Sequence, residues 1–148
     1  MPAPYRGGCA CSAIRYDVTA EPYTAYCCHC NACQKRTGSA FGLSMQVPTT
    51  GLVIAGETPR TRVRIADSGN EFIVHFCGKC GSSLYSAAAA RPEVRVVYIG
   101  TLDDPTAVSP RLNIWTDFAL PWLPLDPALP DIPRQPDFAK YYERPPES

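Results

Sequence analysis

Eight cysteines carry the chemistry open to this chain, and they fall in three groups. Cys9-Ala10-Cys11 is a Cys-x-Cys pair after Gly7-Gly8. Cys27-Cys28-His29-Cys30-Asn31-Ala32-Cys33 is a dense cluster. Cys77-Gly78-Lys79-Cys80 is a Cys-x-x-Cys knuckle followed by Gly81. A structural zinc takes four soft ligands in a tetrahedron. A knuckle supplies two thiolates from one tight turn, so two such pairs close one site. Cys9 and Cys11 with Cys77 and Cys80 fit that arithmetic. One metal held by them would clamp the first strand region to the middle of the domain.

The central spacing, Cys-x-Cys-x-x-Cys, lets Cys28, Cys30 and Cys33 wrap three thiolates around one metal from a single short loop. Neighbours in an extended chain point to opposite sides, so Cys27 is not expected to join Cys28 on that metal. Three protein ligands and an open fourth position is the arrangement of a catalytic zinc. His29 would point away from its flanking cysteines and reads as a surface residue or one lying behind the ligands. His75 sits in an apolar alternating run and reads as a partly buried strand histidine. Spacing alone also allows the central cluster to pair with Cys77 and Cys80, leaving Cys9 and Cys11 spare. Iron–sulfur ligation fits less well, because its usual cysteine spacings differ from these.

The elements that must position these residues are mostly strands. The chain has 148 residues, the length of one domain large enough for a real core. We read 1–148 as a single zinc-binding β domain, with a core at about 5–120 and a proline-rich arm at about 121–148. Ile14–Val18, Phe41–Val47, Thr61–Ile65 and Phe72–Phe76 alternate with period two. Val94–Ile99 is apolar on both faces apart from Arg95, as in a central strand. Leu52–Ala55 reads as a further strand, and Tyr85, Leu112 and Ile114 sit in weaker runs. Asn31–Arg36 and Phe138–Glu143 each have room for one helical turn. Prolines at 121, 124, 127, 130, 133 and 136 recur every third residue, the period of polyproline II. Trp122, Leu123, Leu125, Leu129 and Ile132 between them suggest an arm laid on the β core rather than a free linker.

Composition narrows the function classes. Fourteen basic and fourteen acidic residues cancel, which argues against nucleic acid or an anionic membrane surface as partner. There is no basic stripe with interleaved aromatics. No stretch approaches the ~20 apolar residues needed to span a bilayer. The first residues lack the pattern of an export signal, so the cysteines read as ligands or reactive thiols of a cytoplasmic protein rather than as disulfides.

Gly8-Cys9-Ala10-Cys11, Cys28 through Phe41, and Phe76-Cys77-Gly78-Lys79-Cys80-Gly81-Ser82 together resemble the glutathione-dependent formaldehyde-activating enzyme family, also called the centromere-protein-V-like family. Pro121-Trp122 and the proline-rich end are similar too, so the resemblance runs from about Tyr5 to Pro133. It implies an all-β fold of the β-tent type with two zinc ions. Cys9, Cys11, Cys77 and Cys80 would take the structural zinc, and Cys28, Cys30 and Cys33 the catalytic one. The implied activity is a carbon–sulfur lyase reaction interconverting S-hydroxymethylglutathione with glutathione and formaldehyde. Lys35 and Arg36, close behind the last ligand, are candidates for a carboxylate of a small thiol such as glutathione. The rival readings are a same-fold enzyme acting on another thiol adduct or small carbonyl compound, and a non-catalytic zinc-binding interaction module.

Overall fold

The computed structural model describes residues 2–66 and 69–143. Its strands are β1 (Tyr5–Gly8), β2 (Ile14–Val18), β3 (Thr24–Cys28), β4 (Gly42–Pro48), β5 (Leu52–Gly56), β6 (Arg60–Ile65), β7 (Glu71–Phe76), β8 (Ser83–Ala88), β9 (Val94–Tyr98), β10 (Leu112–Ile114) and β11 (Asp131–Ile132). The one α-helix among the described residues, α1, spans Asn31–Thr37. The fold is therefore mostly β, as the period-two runs require. β1-β2-β5 form a small sheet, and β11-β10-β3-β4-β9-β8-β7-β6 a large one. Pairing is antiparallel throughout the large sheet except around β10, which runs parallel to both β3 and β11.

The large sheet separates two cores. Ile14, Tyr16 and Val18 of β2 pack with Met45 and Val47 of β4, Leu84 of β8 and Val97 of β9. This first core fills the space between the two sheets. On the other face, Tyr26 and Cys28 of β3 gather with Cys30, Cys33, Leu112, Ile114 and Trp115. β3 is buried at every position. Its alternate residues serve different cores, Ala25 the first and Tyr26 and Cys28 the second. That double burial hides the period, so Thr24–Cys28 does not read as a strand from sequence. β9 lies inside the large sheet between β4 and β8, as its apolar run suggests.

The last third departs from a continuous extended arm. Amide bonds from Leu123 to Leu120 and from Leu129 to Asp126 close two turns, which break the three-residue proline period. β11 then joins the sheet edge, and a 3-10 turn at Phe138–Tyr141 sets Phe138 against Tyr26 with ring centroids 5.0 Å apart. Leu123, Leu125, Leu129 and Ile132 are half-buried, but Trp122 is 71% exposed. The apolar groups of this segment thus pack in part, without Trp122.

Tyr16 joins the first core to the turn after β9. Its hydroxyl lies 2.6 Å from Thr101 Oγ1. Burial, reinforced by the Asp103 carboxylate, pushes its pKa up to about 12. An unfolded tyrosine ionises near 10, so the folded state keeps a proton that the unfolded chain has lost. Stability present below pH 10 therefore drains away between about pH 10 and 12. Tyr16→Phe should reduce that alkaline loss by on the order of 2 kcal/mol, measured by denaturant unfolding at pH 8, 10 and 11.5.

Candidate functional site

Seven of the eight cysteines meet in two groups. The sulfurs of Cys9, Cys11, Cys77 and Cys80 all lie within 4.8 Å of one another, and so do those of Cys28, Cys30 and Cys33. The alternative in which the central cluster pairs with Cys77 and Cys80 is not what the fold brings together.

The four-sulfur group joins the turn after β1 to the knuckle between β7 and β8. Gly81, at φ 78°, takes the left-handed conformation that closes the knuckle. Cys9 Sγ and Cys11 Sγ are 3.6 Å apart, and Cys11 Sγ and Cys77 Sγ 3.8 Å. Zinc–sulfur bonds of 2.3 Å in a tetrahedron put ligand sulfurs about 3.8 Å apart, so the donor set fits such an ion. The amides of Ile14 and Lys79 donate to Cys9 Sγ (3.3 Å) and Cys77 Sγ (3.4 Å). The Ser82 hydroxyl, 3.2 Å from Cys80 Sγ, is the main cause that draws the Cys80 thiol down to about 5.

The three-sulfur group is built by a strand running into a helix. Cys28 ends β3, Cys30 is the N-cap of α1, and Cys33 lies in its first turn. Cys30 Sγ accepts from the Cys33 amide at 3.3 Å, doing with sulfur what a Ser or Asp cap does with oxygen. His29 is buried rather than on the surface. Its Nε2 is 3.0 Å from Asn113 Oδ1, and its ring packs on Phe41. Asn113 Nδ2 donates to Asp131, so Oδ1 faces His29 and the histidine proton sits on Nε2. The Gln34 amide donates to the His29 and Phe118 carbonyls, at 2.9 and 3.0 Å. These contacts pin the cysteine loop to β10. Cys27 faces the opposite way from Cys28, and burial alone raises its thiol to about 11. His75 is half-buried and stacked on Tyr85, as its strand position suggests.

The thiols open onto a cavity of about 50 Å³, room for a few waters. Tyr26, Phe72, Val96, Ile114, Trp115 and Phe138 give it apolar walls. Trp115 holds φ 58°, a conformation costly for a large side chain, and its indole donates to Gln135. Two guanidiniums complete the lining. Arg36 lies 3.6 Å over the Tyr98 ring, and Arg64 on β6 has both terminal nitrogens 4.0 Å from Cys33 Sγ. Hydrogen bonds from Cys28 and Cys30, with Arg64 and Arg36 behind them, hold Cys33 far below an ordinary thiol, while Cys28 is driven up. Arg64 and Arg36 thus place positive charge beside Cys33. Gly42 leaves room for both groups: a Cβ there would sit 2.6 Å from Arg36 Nη2 and 3.3 Å from Cys33 Sγ, so the guanidinium would have to shift.

Lys35 does not reach the cavity. It is exposed on the outer side of α1, in a surface depression with Asn31, Gln34 and Trp122. Of the two candidate basic residues, only Arg36 meets the thiols. Arg64 was not among the sequence candidates, since it lies 31 residues from Cys33 in an ordinary-looking strand.

Two sheets carrying two thiol groups that could each hold a metal ion, one closed and one opening on a cavity, define a cysteine-rich β protein. The family model described as glutathione-dependent formaldehyde-activating enzyme matches residues 4–118, and the chain belongs to that family. A crystal structure of a Rhodobacter sphaeroides protein is similar in fold, with a TM-score of 0.52 at 21% identity, covering 72% of this chain and 92% of that one. A comparison with curated proteins finds no match. No helix among the described residues is long and apolar enough to cross a membrane.

The four-sulfur clamp ties β1 and β2 to β7 and β8. Cys80→Ser should lower stability by on the order of 5 kcal/mol or more, read as the shift of a denaturant or thermal midpoint. Added chelator should narrow the difference from the parent. An unchanged midpoint would mean that the four sulfurs share no metal.

Proposed function

We propose that the chain is a carbon–sulfur lyase that interconverts S-hydroxymethylglutathione with glutathione and formaldehyde at the three-cysteine cavity. The observation that carries this reading is the convergence of Cys28, Cys30 and Cys33 with Arg36, Arg64 and Tyr98 on one small lined cavity. Cys28, Cys30 and Cys33 would hold one zinc, and Cys9, Cys11, Cys77 and Cys80 another. Zinc held by the three thiolates would supply a Lewis-acidic centre able to keep an incoming thiol ionised at neutral pH.

In the lyase direction the carbon–sulfur bond breaks. Its electron pair goes to sulfur, and the hydroxyl proton passes to bulk water as the carbonyl forms, so the products are a thiolate, formaldehyde and one proton. Arg36 and Arg64 place positive charge where the sulfur becomes anionic. Tyr98 Oη is buried without a hydrogen-bond partner and lines the same cavity, so it is the group available to bond the substrate oxygen. The aromatic walls keep water from the reacting carbon. The cavity admits the sulfur and its one-carbon adduct but not a tripeptide. The rest of glutathione would extend toward a neighbouring cavity of about 80 Å³, which shares Tyr26, Phe72, Val96, Gln135 and Phe138 and adds Gln46 and Arg91.

One observation favours a second reading. Lys35, expected at a glutathione carboxylate, lies outside the cavity. The enclosed part therefore selects a thiol adduct of small size, and a same-fold activity on another thiol adduct fits it equally.

Protein purified without added zinc should carry close to two zincs by elemental analysis. Changing Cys28, Cys30 or Cys33 to Ser should remove one of them and leave the melt within a few degrees. Adduct formation from formaldehyde and glutathione should run at least about ten-fold faster with the zinc-loaded parent than in the protein-free control, and lose that gain in Cys30→Ser. One zinc or none in the parent overturns the two-centre reading. No gain in rate overturns the glutathione reading and leaves the second one.

A further inference from the structure

The arginine pair has a consequence for what the cavity accepts. Arg36 Nε and Arg64 Nε are both buried without a hydrogen-bond partner. Neither side chain has an ion-pair partner among the described residues. Among the described residues no carboxylate lines the cavity. Three thiolates around a zinc ion would leave one negative charge, and the two guanidiniums would turn that into one positive charge among the described residues. A net positive charge in a confined apolar-walled site is costly until an anion of one unit enters.

We propose that Arg36 and Arg64 set the charge of the accepted substrate pair: one thiolate together with an uncharged small aldehyde, and not an aldehyde that carries its own carboxylate. This rests on the reading that a thiol binds at the three-cysteine centre. The entering thiolate brings the cavity to neutrality. A neutral aldehyde leaves that balance untouched. A carboxylate beside the thiolate makes the cavity negative again, so a 2-oxo acid competes with the thiol instead of joining it. Arg64 carries the larger part of this role. Its two terminal nitrogens face Cys33, whereas Arg36 is committed to the Tyr98 ring.

The test is calorimetric titration of the zinc-loaded protein with 2-mercaptoethanol, a thiol without carboxylates, at pH 7 in two buffers of different ionisation heat. Formate serves as an unreactive small carboxylate. The parent should release about one proton per thiol bound, since a free thiol is mostly protonated at that pH. Formate should raise the apparent Kd of the thiol in the parent. In Arg64→Met the thiol should bind about ten-fold more weakly and formate should no longer compete. Arg64→Lys should restore most of both effects. Zinc content and melting midpoint establish that each variant is folded and loaded, and Arg36→Met serves as the second variant if Arg64→Met is not. A parent that binds no thiol overturns the proposed function and this inference with it. A parent that binds thiol while the arginine variants bind it equally, or while formate never competes, overturns this inference alone.

Discussion

Sulfurs that would repel one another as thiolates are held together at two points, and the rest of the structure is arranged around that constraint. Cys11 and Cys77 are 66 residues apart in sequence, yet their sulfurs are 3.8 Å apart. Hydrophobic burial alone does not specify such a meeting, because it has no direction. The knuckle geometry and the amides donating to sulfur do. This closed group ties the small sheet to the far half of the large one. The first core fills the space between them, with Ile14, Val18, Met45, Val47, Leu84 and Val97 fully buried.

The second sulfur group obeys the same electrostatics with a different outcome. Three cysteines from one loop leave an open side, and the fold spends it on a cavity. Residues from β3, β4, β6, β7, β8, β9 and β10 reach that cavity, so its shape belongs to the whole sheet and not to the loop. His29 shows how the loop is fixed. A buried histidine bonded through Asn113 to Asp131 ties the ligand segment to β10 and β11. Its place between Cys28 and Cys30 is a matter of anchorage.

Family membership covers residues 4–118, which include both sulfur groups, Arg36, Arg64 and Tyr98. Gln135 and Phe138 lie beyond that span and still wall the cavity. The C-terminal segment reaches them by joining β11 to the sheet edge and setting Phe138 on Tyr26. The chemistry thus belongs to the shared part of the chain. Part of the wall that decides what fits beside it belongs to a segment outside that part.

Much was legible in the residues themselves. Alternation along Ile14–Val18, and the two-faced apolar run at Val94, report burial directly, because strand side chains alternate faces. Cysteine spacing reports which sulfurs a single turn can gather. It set Cys27 apart from Cys28, and the strand they share puts them on opposite faces. Three things belonged to tertiary structure alone. β3 is buried on both faces, so its period vanishes from the sequence. Lys35 and Arg36 are adjacent, and a helix turns about 100° per residue, so only the packing of α1 decides that Arg36 meets the sulfurs while Lys35 faces water. Arg64 reaches Cys33 because the large sheet brings its edge strand β6 over the cavity. No local pattern records that meeting, since it follows from how eight strands are ordered and not from any one of them.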